Sequence, residues 1–436
     1  MPSEARACAH AVVRRTFEQG AFTDRAFHAA ARGLDPRDRA QAMRLAYGAV
    51  QRRGTLDHLI ERLADRPITA LDPPLRATLR VGLYELLYSE SAPHAVVHDA
   101  VELAKAARGH GLANAVLRRA AREGPGLLAG LDDETPAGAA VKHSMPGWIV
   151  ELWWEALGPQ AARLLLRRSN EPAEHALRAN TLRGDAAALA AALPVATEIP
   201  GDPPEAVVVV DRFDAHGSEL WRAGAFMPQS RAAMLVAHAL DPQPGERVLD
   251  LCAAPGGKTT HVAALMGATG EVVAVERHPG RARALERTAA RMGATNVAVE
   301  VADAGRPQPP GGGRAGFDRV LLDPPCSGLG TLQSRPDLRW RATPEALAGL
   351  CRQQARLLSA AANALAPGGT LVYSTCTISP DENERQIGSF LDGHPDFSVT
   401  DLQDRFPAWA TGPHLLALPS VQGSDGFFVA ALRREP

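Results

Sequence analysis

Lysine is almost absent from this chain. Among 436 residues there are three, Lys105, Lys142 and Lys258, and every other basic residue is arginine or histidine. A protein that builds its positive charge from planar guanidinium forks, yet keeps one ammonium inside a glycine loop, has a use there for a compact point charge. Cysteine is scarce as well. Cys8, Cys252, Cys326, Cys351 and Cys376 are odd in number and widely spaced, which argues against a disulfide framework. No Cys/His spacing matches a zinc site, so no metal is expected. Uncharged apolar runs of bilayer-spanning length are missing, and residues 1–15 lack the apolar stretch of a secretion signal. A soluble, cytoplasmic protein with no membrane contact is expected.

Net charge is only −2, but it is unevenly placed. Residues 1–128 carry 19 Arg/Lys against 14 Asp/Glu, and the remainder carries 28 against 35. A basic front end on a near-neutral chain is compatible with phosphate contacts, and equally with solvated helix faces.

The length points to two or three domains. Residues 1–128 read as all-helical, with apolar residues at helical spacing over 5–19, 37–53, 55–63, 74–88, 93–107 and 111–122. In the fourth of these, Leu75, Leu79, Leu83, Leu86 and Leu87 share one face, which leaves Arg76 and Arg80 for solvent or RNA. Residues 124–135, rich in Gly, Asp and Pro, read as a linker. Residues 136–222 read as a small α/β module. It contains Trp153 and Trp154, taken as packing residues, and a strand on which Arg178 and Asn180 alternate with apolar neighbours. From 223 to 436 strands alternate with helices. Strands are expected at 247–251, 271–276, 297–301, 317–323 and 369–375, helices near 259–266, 279–292 and 343–365. That rhythm means βαβ units and a parallel sheet covered on both faces. The run 306–313 reads as a surface loop, and 426–432 as an antiparallel edge strand.

The chemistry concentrates in Val248-Leu-Asp-Leu-Cys-Ala-Ala-Pro-Gly-Gly-Lys-Thr-Thr-His261. A strand, a glycine loop and a helix start follow one another. Gly256 and Gly257 let backbone approach a ligand, and the helix start offers free N–H groups. The spacing is neither that of an ATPase P-loop nor of a dinucleotide loop. In an open α/β sheet ligands bind beyond the carboxyl ends of the strands. Four acids fall there: Asp250, Glu276, Asp303 and Asp323. In series after a glycine loop they fit a cofactor with ribose hydroxyls and an adenine amine. Cys326 and Cys376 follow the fourth and fifth strands, at neighbouring ligand-facing ends. Cys8 and Cys351 read as inert small hydrophobes.

Three motifs carry a resemblance: Cys252–His261, Asp323-Pro-Pro-Cys-Ser-Gly328, and Ser374-Thr-Cys-Thr377 with Pro380-Asp-Glu-Asn-Glu384. Together they resemble the Sun/Fmu family of S-adenosylmethionine-dependent rRNA small-subunit cytosine-C5 methyltransferases. The front end, in Pro93-His-Ala-Val-Val-His-Asp-Ala-Val-Glu102 and Ala113-Asn-Ala-Val-Leu-Arg-Arg119, resembles the NusB-like RNA-binding domain. Pro324 and Thr377 stand where the family commonly has Ala and Ser. The resemblance implies a Rossmann-like methyltransferase domain behind an all-α NusB-like bundle and a small α/β module. It implies S-adenosyl-L-methionine as cofactor, held by Cys252, Ala253, Ala254, Pro255, Gly256, Gly257, Lys258, Glu276, Asp303 and Asp323. Cys376 is implied as nucleophile, with Cys326 assisting release of the product, Asp323 at the base edge and Lys258 steadying charge. The implied substrate is a single-stranded or loop cytosine of rRNA rather than DNA, and a monomer is the default state.

Other readings stay open at this level. Asp323-Pro-Pro also occurs in exocyclic-amine methyltransferases, although Cys326 stands where those place an aromatic. DNA cytosine-C5 enzymes would exchange the roles of the two cysteines. Another RNA would serve as substrate equally well, and a non-catalytic rRNA-binding assembly factor would need the basic bundle but not Cys376.

Overall fold

The computed structural model describes residues 2–105, 108–306 and 316–436. Most of the expected loop 306–313 lies outside these residues. They form two compact units: residues 1–171 with 332–341, and residues 172–331 with 342–436.

The first unit is helical. Its core is built by Leu45, Leu56, Leu59, Ile60, Leu79, Leu83 and Leu117, all buried at the faces their helical spacing defines. Helix starts are fixed locally. Asp35 accepts hydrogen bonds from the N–H groups of Arg37 and Asp38, and Pro36 follows it at the first helical position. A helix at Thr23–Ala30, too short to show a period in the sequence, adds to the expected set. Three expectations are corrected. Arg80 is not free for RNA: it is 3% exposed and donates to Asp57 at 2.7 and 2.8 Å. Its carboxylate partner lies 23 residues away, beyond the reach of a pattern within one helix. The stretch read as a linker begins with helix instead, because His110–Ala129 runs on through Gly124 and Pro125. Gly124 faces Leu87, where a Cβ would come within 2.8 Å of a methyl, so the composition serves close packing. Finally, helices Pro136–Lys142, Gly147–Leu157 and Pro159–Arg168 belong to this first unit, not to the small module. Trp153 is fully buried within it.

Residues 332–341 complete this unit. Arg339, 0% exposed, donates to the carbonyls of Ser144 and Ser169 at 3.1 and 3.0 Å and to Asn170 Oδ1 at 2.9 Å. Trp340 Nε1 donates to the Val50 carbonyl at 2.7 Å.

The second unit holds two sheets. The smaller is antiparallel, in the order Thr197–Glu198, Ala206–Val209, Ala176–Ala179, Phe226–Pro228, with the helix Ala186–Ala192. Its last strand lies beyond the expected module boundary at 222. Among the described residues the larger sheet has nine strands. Leu365–Thr375, Phe317–Leu322, Arg247–Leu251, Glu271–Val275 and Val297–Glu300 lie parallel in that order. Helices Arg231–Leu240, Gly257–Leu265, Pro279–Met292 and Pro344–Ala364 accompany them, and buried apolar side chains form a cluster on each face of the sheet. After Arg247–Leu251 the chain moves outward to one side, then returns to the other at Phe317. That reversal puts a crevice beyond the end of Arg247–Leu251. The strand Phe427–Arg434 is antiparallel as expected, but it is not an edge. It pairs with Leu365–Thr375 on one side and with both His414–Ala417 and Phe397–Thr400 on the other. Those added strands are four residues long, too short for alternation to announce them. No helix among the described residues is long and apolar enough to cross a membrane.

Candidate active site

The strand Arg247–Leu251 is buried throughout and ends at the crevice. Asp250 near its end accepts a hydrogen bond from Thr259 Oγ1 at 2.6 Å. Burial pushes its carboxyl up to about 7, with the Thr259 hydrogen bond opposing and the charge of Asp323 adding to the rise. The loop then turns through Cys252, at φ 64°, and Gly256, at φ 99°. Ala253 N–H donates to the Val275 carbonyl at 3.0 Å and Gly256 N–H to the Ala253 carbonyl at 2.9 Å, which fasten the loop to the neighbouring strand and to itself. The helix Gly257–Leu265 starts at once.

Two cavities flank this loop and share Cys252. One, of about 290 Å³, is lined by Glu276 and Asp303 with Pro325 and Leu357 as apolar walls. The other, of about 160 Å³, is lined by Asp250, Ala253, Ala254, Pro255, Gly257, Lys258 and Asp323. Glu276 is 2% exposed, and its Oε1 accepts from the His278 N–H at 2.9 Å. Asp303 accepts from the Gly305 N–H at 2.9 Å, which with nearby arginines holds its carboxyl below the ordinary range. Carboxylate acceptors between apolar walls match a nucleoside with ribose hydroxyls, and the larger cavity has the volume for one. Cys252 lines both cavities, and burial pushes its thiol up to about 12, so it is wall rather than nucleophile.

The other two cysteines meet. Cys326 Sγ and Cys376 Sγ are 3.3 Å apart although 50 residues separate them in sequence. The contact with Cys376 and then burial push the Cys326 thiol well above its ordinary range. Beside them Lys258 Nζ donates to Asp323 Oδ2 at 2.7 Å, and Ser374 Oγ donates to Asp323 Oδ1 at 3.1 Å. Burial works against the Lys258 ammonium, but the charge and hydrogen bond of Asp323 outweigh it, and Cys376 adds to them. The lysine also lies 4.9 Å from the centre of the Phe427 ring. Cys8 is buried in the first unit, and Cys351 Sγ faces the Asp381 carbonyl at 3.4 Å.

Sequence reasoning left three groups without a role. Arg178, 1% exposed, reaches the helix start behind the glycine loop, donating to Gly257 O and Gln229 Oε1 at 2.5 Å and to Thr260 Oγ1 at 3.0 Å. Glu205 lies between His238 and His261, with Nε2 of each at 3.0 and 2.8 Å from its Oε1. These three could hold a metal by distance, since their donor atoms lie within 4.8 Å of one another. The buried guanidinium of Arg178 acts against a cation here. After burial itself, its charge is what most depresses His261, pushed down to about 3. Third, Glu382 and Asn383, quoted above only as part of a motif, are fully buried beneath the two cysteine loops.

A Rossmann-like sheet with an acid-lined crevice at its reversal point, a glycine loop and two cysteines at adjoining strand ends defines a nucleoside-cofactor-dependent transferase. Residues 237–433 match the model of the family described as 16S rRNA methyltransferase RsmB/F, and residues 3–122 match the NusB family. The probable ribosomal RNA small subunit methyltransferase B of a Synechocystis strain is 39% identical over 99% of both chains. The ribosomal RNA small subunit methyltransferase B of Thermus thermophilus is 38% identical over 91% of this chain and 89% of that one. Among solved structures, the crystal structure of PH0851 superposes with a TM-score of 0.82 at 27% identity, covering 100% of this chain and 99% of that one. A methyltransferase homologue from Pyrococcus horikoshii gives 0.60 at 27% identity, over 69% and 99%. The chain belongs to the RsmB/F family of 16S rRNA methyltransferases, carries a NusB-family domain in front, and uses S-adenosylmethionine.

Proposed function

We propose that the protein methylates C5 of an unpaired cytosine in small-subunit rRNA, with Cys376 as the nucleophile toward C6. The sulfur–sulfur contact of 3.3 Å between Cys326 and Cys376, beside the Lys258–Asp323 pair, carries this reading. C5 of cytosine is a poor nucleophile, and a thiolate bonded to C6 turns it into an enamine carbon. Lys258 favours the Cys376 thiolate by its charge. Asp323, oriented by Ser374 and Lys258, takes the proton the Cys376 thiol gives up and passes it to N3, toward which the attack pushes electron density. S-adenosylmethionine, when bound, supplies an electrophilic methyl group. Asp250, Glu276, Asp303 and the loop Cys252–Lys258 line the two cavities that would hold it. After methylation a base takes the C5 proton, the S–C6 bond breaks with its electrons on the Cys376 sulfur, N3 returns its proton to Asp323 and aromaticity returns, with Cys326 assisting release of Cys376.

Because this chemistry needs both faces of the ring, the base must be unstacked, which favours a single-stranded or loop cytosine. The NusB-family domain and its basic excess supply phosphate contacts. The protein acts as a monomer in the cytoplasm. Unmodified small-subunit rRNA incubated with methyl-labelled cofactor should yield labelled 5-methylcytidine on nucleoside analysis. Label on another atom or another base would refute the proposal.

A further inference from the structure

The two reacting sulfurs sit on separate loops, which one backbone hydrogen bond ties together, from the Gly330 N–H to the Cys376 carbonyl at 3.0 Å. Cys326 follows the strand Phe317–Leu322 and Cys376 follows Leu365–Thr375. The residues immediately after them, Ser327 and Thr377, join the loops through their side chains. Ser327 Oγ lies 2.7 Å from Thr377 Oγ1. Through Ser327 this connection leads to a carboxylate. Glu382, 0% exposed, accepts from the Ser327 N–H at 2.9 Å and the Gln354 Nε2 at 2.9 Å through Oε1, and from Ser327 Oγ at 2.5 Å through Oε2. Gln354 in turn donates to the Pro325 carbonyl at 3.0 Å, just before Cys326. The next residue, Asn383, donates to the Thr377 carbonyl at 3.1 Å and accepts from Thr375 Oγ1 at 2.6 Å, on either side of Cys376.

The Ser327 N–H, the Ser327 hydroxyl and the Gln354 amide all donate to this fully buried carboxylate, a set of bonds that an alkyl side chain would leave broken. Glu382 touches neither sulfur through these hydrogen bonds. Resting on the reading of the two cysteines given above, we infer that Glu382 is a positioning residue that sets the distance between the nucleophile Cys376 and its partner Cys326. Ser327 relays that hold from one loop to the other. Removing the carboxylate frees the Ser327 N–H, the Ser327 hydroxyl and the Gln354 amide at once, and the sulfurs drift apart. The release step, which needs both, then slows more than the attack, which needs one.

The spacing can be read without RNA. Diamide takes two hydrogens from a thiol pair in contact, leaving a disulfide and the hydrazine, so the rate of Cys326–Cys376 closure, followed by peptide mass mapping of the full chain, reports how often the sulfurs meet. Wild type should close this disulfide, and Glu382→Ala should close it about tenfold more slowly, with cofactor affinity by calorimetry unchanged. Glu382→Gln should stay near wild type, because its oxygen still accepts from Ser327 N–H and Gln354 while its amide donates to a rotated Ser327 hydroxyl. With rRNA, Glu382→Ala should accumulate covalent RNA–protein adduct as turnover falls. Ser327→Ala, a smaller change, should slow closure in the same direction if Glu382→Ala does not fold. Closure in Glu382→Ala or Ser327→Ala at the wild-type rate, or Glu382→Gln as slow as Glu382→Ala, overturns the inference. Failure to form 5-methylcytidine would instead refute the reaction while leaving the closure rates as a measure of the clamp.

Discussion

At the scale of single residues, Asp250 and His261 make opposite demands on pH. Folded Asp250 titrates at about 7 instead of 3.8, so across that window the folded protein keeps a proton that the unfolded chain has lost. Its contribution to stability therefore falls as pH rises from 3.8 to 7. His261 is pushed from 6.5 to about 3, so over that range the unfolded chain holds the extra proton and stability rises with pH. The two largely cancel in the wild type. Asp250→Asn keeps an acceptor for Thr259 and removes one side of the balance. Relative to wild type it should gain roughly 1 kcal/mol per pH unit between about 4 and 7. Urea unfolding without cofactor measures this, and a difference that stays flat across the window contradicts it. Placement was legible where a residue follows a strand end, as for Cys326 and Cys376, which the neighbouring strand ends bring into contact. It was not legible for Arg80 or Glu382, because the partners that decide their roles lie 23 and 55 residues away. An arginine on a polar helix stripe looks the same whether water or Asp57 faces it.

At the scale of elements, the strand, loop and helix around Gly256 could be read directly, since a glycine pair between an apolar run and a helical period has few other meanings. Gly256 is held at φ 99°, and a Cβ there would come within 2.4 Å of Leu285 Cδ1. Gly256→Ala should cost roughly 1–3 kcal/mol of stability and weaken cofactor binding by about tenfold or more in titration calorimetry. Gly257→Ala would meet only Met227 Cε at 3.8 Å and should fold at near wild-type stability. Equal destabilisation by the two changes would argue against the conformational account. Elements were missed where they were short or ran against composition. Thr23–Ala30, Phe397–Thr400 and His414–Ala417 offer too few residues for a period. The turn-forming composition at 124–126 conceals a helix that tertiary packing on Leu87 maintains.

On the scale of the whole molecule, the sequence order and the packing order differ. The methyltransferase region sends residues 332–341 into the helical unit, and Arg339 supplies donors to segments of it at Ser144 and at Ser169–Asn170. Nothing in the composition of residues 332–341 marks them as part of a helical core, since the role of Arg339 rests on carbonyls contributed by Ser144 and Ser169. Arg339→Ala leaves these buried carbonyls unmatched and should destabilise the helical unit by roughly 3 kcal/mol. Hydrogen exchange should then show faster opening of the helices Pro36–Gln51 and Pro159–Arg168, and unchanged protection there would contradict the placement. The alternation of strands and helices that announces the large sheet survives this interruption because each βαβ unit is local in sequence.

The central claim concerns which sulfur bonds to the pyrimidine. It is tested by incubating Cys326→Ala and Cys376→Ala separately with unmodified small-subunit rRNA and cofactor, then mapping any covalent adduct by denaturing gel and mass spectrometry. Cys326→Ala should trap RNA on Cys376 through a cytosine, and Cys376→Ala should form no adduct and no methylated product. An adduct on Cys326 in Cys376→Ala, or turnover retained without Cys376, would contradict the account.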